Sequence, residues 1–296
     1  MNLGGQSQHV VFLGIYGDEA GFLAALVTER GRMLGRGRSA SLGSAVGPCL
    51  AAAGPDPPLA VGFAGLAVEE LEGLIEGEHP RWRCSPEEAL MAGALAGREG
   101  VLLDCGGQAV VHGLEQGGRI RSLKQHEGSA TWLAQQLRER AVAGPGRVRS
   151  AAERHLKTGS EDELLAFART AIEMADHPGP EPECKGLVGR AARMLSDLVR
   201  TLRPRLRLRS KPAASYTGPA MFGPLLQAFV EENSRYHPEL RWAPPRLPPE
   251  AGCALLAQGG MLEARRKGEP PPVFAEVGED EWRHVSRMRQ PLPEWT

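Results

Sequence analysis

VLLDCGGQAVVHGLEQGGRIRSL, residues 101–123, decides the fold because the chain carries its pattern twice. The other copy is VVFLGIYGDEAGFLAALVTERGRMLGRGRS, residues 10–39. Each is an apolar run, a small-residue turn, a second apolar run, a charged turn ending in Gly-Arg, and a third short run. Three runs at this spacing predict an antiparallel meander. In the later copy the first turn is Asp104-Cys105-Gly106-Gly107-Gln108, an acidic, glycine-rich loop of the kind that cradles phosphate. In the earlier copy Tyr16 stands at the place of Asp104, about 88 positions upstream, and the turn is Gly17-Asp18-Glu19-Ala20-Gly21.

Working outward, strands are predicted at 10–15, 22–28 and 31–38, a helix at 42–53, a strand at 59–63 and a helix at 67–77. Ser85-Pro86-Glu87-Glu88 starts a further helix, with Ser as N-cap, Pro at the first position and acids in the first turn. Its ALMAGALAG face predicts close packing on a neighbour. After the second meander, helices are predicted at 128–143, 160–176 and 186–203, a strand at 213–217, a helix at 222–234, a strand at 241–245 and a helix at 248–266. The expected division is a lobe at 1–100, a lobe at 101–267, and a Pro-rich tail at 268–296 that drapes over the surface or ends in one short helix. The fold class is α/β, a duplicated βββαβαβα unit around a central cleft.

Composition narrows the function. The chain has 296 residues, 42% apolar and 24% charged, as in an ordinary globular protein. A net charge of −1 provides no field to draw nucleic acid or an anionic membrane. No apolar run is long enough to span a bilayer. MNLGGQSQH lacks a basic region before an apolar core, so no secretory leader is expected. Five scattered cysteines without a C-x-x-C fit free thiols in the cytoplasm and make a zinc site unexpected. The basic run Arg203 to Lys211 lacks interleaved aromatics and reads as a solvated helix end leading into a strand. No G-x-x-x-x-G-K-S/T occurs, and Gly35-Arg36-Gly37 lacks the rest of a dinucleotide fingerprint.

GRMLGRGRS at 31–39, LLDCGGQAVV at 102–111, HEGSATWLAQQL at 126–137 and WAPPRLPPEAGCALLA at 242–257 resemble, in order and spacing, the BadF/BadG/BcrA/BcrD-type ATPases. That family includes N-acetylglucosamine kinases and belongs to the sugar kinase, heat-shock ATPase and actin superfamily. The resemblance runs from residue 10 to about 266 and implies a two-lobed, actin-like ATPase (ribonuclease H-like) fold. It implies ATP held by two glycine-rich turns and an adenosine loop, Tyr216-Thr217-Gly218-Pro219-Ala220, with Mg²⁺ held by acids and an acid acting as base. Carried over, Asp104 is the catalytic and metal-site acid, while Gly17, Gly106, Gly107, Gln108, Thr217 and Gly218 contact nucleotide. The implied acceptor is an amino sugar or a related small molecule.

The chain departs from that pattern in places. The first loop lacks the family's leading acid, two glycines and both hydroxyl residues, and Asp18 and Glu19 place negative charge where phosphate would approach. The base position falls on Pro86, leaving Glu87 or Asp18 to replace it. The second glycine of the adenosine loop is Pro219. The Asp-x-Gly-Gly-Gln loop is closest to the activators of 2-hydroxyacyl-CoA dehydratases, yet 124–128 has no Cys, so no iron–sulfur cluster is expected. Simpler roles stand beside these: Asp104 as a polar strand end, Asp18 and Glu19 as a solvated hairpin, Glu87 as a first-turn acid, Glu127 as a helix cap or a substrate- or metal-orienting acid, and His112 and His126 as structural histidines. The expectation is therefore a kinase-like protein with weak or lost phosphotransfer. The alternative is an inactive pseudokinase that binds or regulates a protein partner, with a homodimer left open.

Overall fold

The computed structural model describes residues 10–18, 20–54, 57–74, 79–116, 118–141, 146–176, 181–209, 211–278, 282 and 284–285. The chain divides into two compact units. The first comprises 1–99, 116–119 and 245–296, and the second 100–115 and 120–244. Among the described residues no helix is long and apolar enough to cross a membrane.

In the first unit β1 (Val11–Asp18), β2 (Gly21–Thr28) and β3 (Met33–Ser39) form the meander, α1 (Leu42–Ala53) follows, and β4 (Ala60–Ala64) and β5 (Arg81–Arg83) add in parallel. β1 is apolar along most of its length because both faces are covered. Val11, Leu13 and Ile15 share a cluster with Ala45, Val46 and Cys49 of α1. On the opposite face, Gly14 lies against α8 (Pro249–Lys267): a Cβ on Gly14 would fall 1.8 Å from the Glu250 carbonyl oxygen, and one on Gly62 1.9 Å from that of Cys253. Gly14 and Gly62 are paired across β1 and β4, and glycine at this pair is what lets the helix approach the sheet. α2 (Pro86–Leu95) packs on α8 in the same manner, with Gly252 against the Ala89 carbonyl, so the small-residue face has its predicted neighbour.

The second unit has β6 (Gly100–Cys105), β7 (Ala109–Leu114) and β8 (Ile120–Gln125), then α3 (Ala130–Ala141), α4 (Arg147–His155), α5 (Glu161–Met174), α6 (Pro182–Leu202), β9 (Ala213–Thr217), α7 (Gly223–Tyr236) and β10 (Arg241–Ala243). Its sheet order, β10-β9-β6-β7-β8, repeats the first sheet's β5-β4-β1-β2-β3. The register repeats as well. Phe12 to Tyr16 pair with Ala60 to Ala64, and Gly100 to Asp104 pair with Ala213 to Thr217.

Several details differ from the sequence-based expectation. The helix at 249–267, placed with the second lobe by the 101–267 boundary, lies in the first unit. Its buried Glu250 accepts from Arg36 Nε of β3 at 2.6 Å. The tail contributes β11 (Phe274–Glu276), parallel to β5 at the sheet edge, which its Pro-rich composition concealed. The helix expected at 67–77 is a single 3-10 turn at Val68–Leu71, because Gly73 takes φ +76; residues 75–78 lie outside the described residues. α4 was not anticipated; only Val148 and Ala151 of its basic sequence are buried. α6 begins four residues earlier than expected, at Pro182 in the first helical position.

Candidate functional site

β6 and β9 run parallel and end together, with Asp104 opposite Thr217. The carboxyl ends of parallel strands are the usual place for a ligand in such sheets. Ladder pairing from β6 to β7 reaches Cys105 opposite Ala109, leaving Gly106, Gly107 and Gln108 as an open three-residue loop. The Gly106 amide donates to the Gln108 carbonyl at 3.1 Å, while the Gly106 carbonyl accepts from the Ala130 amide at 3.1 Å. The Gly107 carbonyl accepts from the Thr131 hydroxyl. The loop's two glycine carbonyls are thus turned onto the start of α3, while the Gly106 amide is taken up within the loop.

Gly218 closes the site from β9. It takes φ +100, and a Cβ there would fall 2.4 Å from the Cys105 carbonyl oxygen. Pro219 lies over Gly106, its Cδ within 3.9 Å of a Cβ built there. The structure therefore brings Asp104, Gly106, Gly107, Gln108, Thr217 and Gly218 to one end of one sheet. Burial pushes the Asp104 carboxyl up to about 6, opposed by a hydrogen bond from the Cys105 backbone. The Cys105 thiol is pushed up to about 12 by burial and by the neighbouring Asp104 charge.

Beside the loop lies a cavity of about 420 Å³, lined in part by Gly107, Gln108, His126, Thr131, Gln135 and Glu161. His126 Nε2 lies 3.0 Å from Gln135 Oε1. Sequence reasoning missed Thr131, Gln135 and Glu161. Glu161 follows an N-cap Ser and looks like any first-turn acid; nothing local in the sequence says that its carboxylate meets Gly107. Glu127 is exposed and does not cap α3: Ser129 does, its Oγ accepting from the Trp132 amide at 3.1 Å. His112 is buried, with Nδ1 2.8 Å from Ser122 Oγ.

The first unit treats the corresponding positions differently. β1 and β2 stay paired to Asp18 opposite Gly21, leaving only two residues in the turn. Asp18 is exposed and accepts from the Ala20 amide at 2.9 Å, a local turn contact. Glu19 lies outside the described residues. Gly17 packs on Gly65, which takes φ +73 with a Cβ position 2.0 Å from the Gly17 carbonyl oxygen. Gly65 thus repeats at β4 what Gly218 does at β9. At the start of α2, Ser85 and Glu88 form a capping box, with Ser85 Oγ accepting from the Glu88 amide at 3.2 Å and Glu88 Oε2 from the Ser85 amide at 2.8 Å. Pro86 is the first helical residue and Glu87 projects into solvent. Asp18 and Glu87 belong to the first unit, Asp104 to the second. In the basic run, Arg203 Nε pairs with Glu239 at 3.2 Å and the Arg207 amide donates to Glu115.

Among the described residues no three His, Cys, Asp or Glu side chains gather to hold a metal ion. Mg²⁺ needs no such cage: it keeps most of its waters and takes one or two carboxylates plus phosphate oxygens. Asp104 fits that limited role.

No family model and no curated protein matches the chain in sequence. Solved structures do match in fold. An inferred N-acetylglucosamine kinase from Chromobacterium violaceum superposes with TM-score 0.58 at 20% identity, covering 84% of this chain and 99% of that one. A ROK family glucokinase from Streptomyces griseus, in complex with glucose and AMPPNP, gives 0.55 at 16%, covering 84% and 100%. A ROK family transcriptional regulator, a homologue of the E. coli MLC protein, gives 0.55 at 14%, covering 94% and 80%. At these identities the likeness is one of fold, and the chain has the actin-like ATPase fold that these proteins share.

Proposed function

We propose that this chain binds ATP through the loop at Asp104–Gln108 with Thr217 and Gly218, with Asp104 ligating the Mg²⁺ that neutralises the phosphates. Phosphotransfer to an amino sugar or a related small molecule is weak or lost. The observation that carries this reading is the asymmetry between two equivalent turns. One is an open glycine loop behind a carboxylate, and the other a closed hairpin behind Tyr16. The open glycine loop is of the kind that cradles phosphate and the closed hairpin is not, which supports binding with weak or lost transfer. The experiment is a thermal shift with Mg-ATP followed by an ADP-release screen over amino sugars. Stabilisation by about 2.7 kcal/mol at a hundred-fold excess over Kd is expected, with little or no ADP release. No shift at millimolar Mg-ATP contradicts nucleotide binding, and turnover at ordinary kinase rates contradicts the loss of phosphotransfer.

A second reading, a catalytically silent protein that binds or regulates a protein partner, is favoured by Pro86. It stands where the resemblance expects the base, and it cannot accept a proton.

A further inference from the structure

A negatively charged side chain lies on the glycine loop itself. A Cβ built on Gly107 would fall 1.9 Å from Glu161 Oε1, so the carboxylate rests directly against the Gly107 backbone, on the wall of the 420 Å³ cavity. The start of α5 is held firmly. Glu163 Oε2 accepts from the amides of Lys157 at 3.0 Å, Thr158 at 2.8 Å and Gly159 at 2.8 Å. Ser160 Oγ accepts from the Glu163 amide at 3.4 Å. This clamp fixes the backbone from which Glu161 projects. Glu161 itself is exposed.

We propose that Glu161 makes the loop selective for metal-complexed over free polyphosphate, acting as a built-in anion at the place where a phosphate oxygen would sit. This rests on the nucleotide reading above. A bare triphosphate arriving at Gly107 meets the Glu161 charge in addition to that of Asp104, at contact distance. A divalent cation carried by the phosphates offsets that repulsion.

The test is calorimetric binding of ATP in EDTA and of Mg-ATP to the wild type, to Glu161→Gln, and to Asp162→Asn as a control for first-turn charge. Glu161→Gln should tighten free ATP about four-fold or more, the factor for one unit charge roughly 5 Å away in a water-like dielectric. Mg-ATP should change less, so the preference for the metal complex falls. Asp162→Asn should leave that preference as in the wild type. An unchanged preference in Glu161→Gln, or an equal change in Asp162→Asn, overturns the proposal while leaving nucleotide binding intact. Loss of Mg-ATP affinity in Glu161→Gln also overturns it, by making Glu161 a metal ligand. Silence toward both forms of ATP in all three proteins overturns the nucleotide reading and this proposal with it.

Discussion

Tyr16 and Asp104 occupy the same rung of two sheets wired in the same order, Tyr16 opposite Ala64 and Asp104 opposite Thr217. One position has kept a carboxylate behind an open loop, and the other carries a phenol behind a closed hairpin. The account therefore predicts that Tyr16→Asp does not create phosphotransfer. Pairing of Asp18 with Gly21 still closes the hairpin, and the Ala20 amide is taken up by the Asp18 carboxylate. ADP release should stay at the wild-type level; a rise of ten-fold or more would show that the missing acid alone is limiting.

The raised Asp104 carboxyl makes a stability prediction with a definite sign. Its folded value of about 6 lies above the unfolded value of 3.8, so the native state holds the proton more tightly and stability falls as pH rises from about 4 to about 6. The full two-unit shift corresponds to about 3 kcal/mol, an upper bound for a partly exposed group. Asp104→Asn should raise Tm at pH 7.5 and match the wild type below pH 4. Urea midpoints across this range check it; a variant less stable than the wild type at pH 7.5 contradicts the burial argument.

Gly65 and Gly218 are predicted to be equivalent in cost as well as in position. Each combines positive φ with a carbonyl oxygen that would lie 2.0 Å or 2.4 Å from a new Cβ. Alanine at either should destabilise by roughly 2 kcal/mol or more, from strain and displacement of the facing strand end. Gly218→Ala should also weaken nucleotide binding, because the strand end it displaces is Cys105.

Glu250 is fully buried, whereas the Arg36 side chain is half exposed. Arg36→Ala leaves the carboxylate buried without its cation and should cost about 3 to 5 kcal/mol. The double variant Arg36→Ala/Glu250→Gln should recover much of that loss. Denaturant melts of the three proteins decide; an additive double variant contradicts the pairing.

The duplication was legible because a meander leaves short apolar runs bounded by turn residues, and the strands of 10–39 and 101–123 form as that pattern predicts. The N-cap at Ser85 was legible for the same reason, since caps are local. The grouping of α8 with the first unit is non-local. α8 is a small-residue helix whose sequence does not say which sheet it covers, and only Gly14 and Gly62, more than 180 positions upstream, accommodate it. Gly65 was overlooked because no acid or motif marks it; its counterpart relation to Gly218 exists only in the sheet register. Glu161 was overlooked because its contact with Gly107 spans 54 positions and depends on how α5 is clamped.

Calorimetric titration of Mg-ATP into the wild type and Asp104→Ala tests the central claim most directly. Removing a desolvated carboxylate does not threaten the fold, so lost binding reports the site rather than unfolding. The account predicts saturable binding to the wild type and none to Asp104→Ala at the same concentrations. Equal binding to both proteins would contradict the assignment of Asp104 and its glycine loop as the phosphate site.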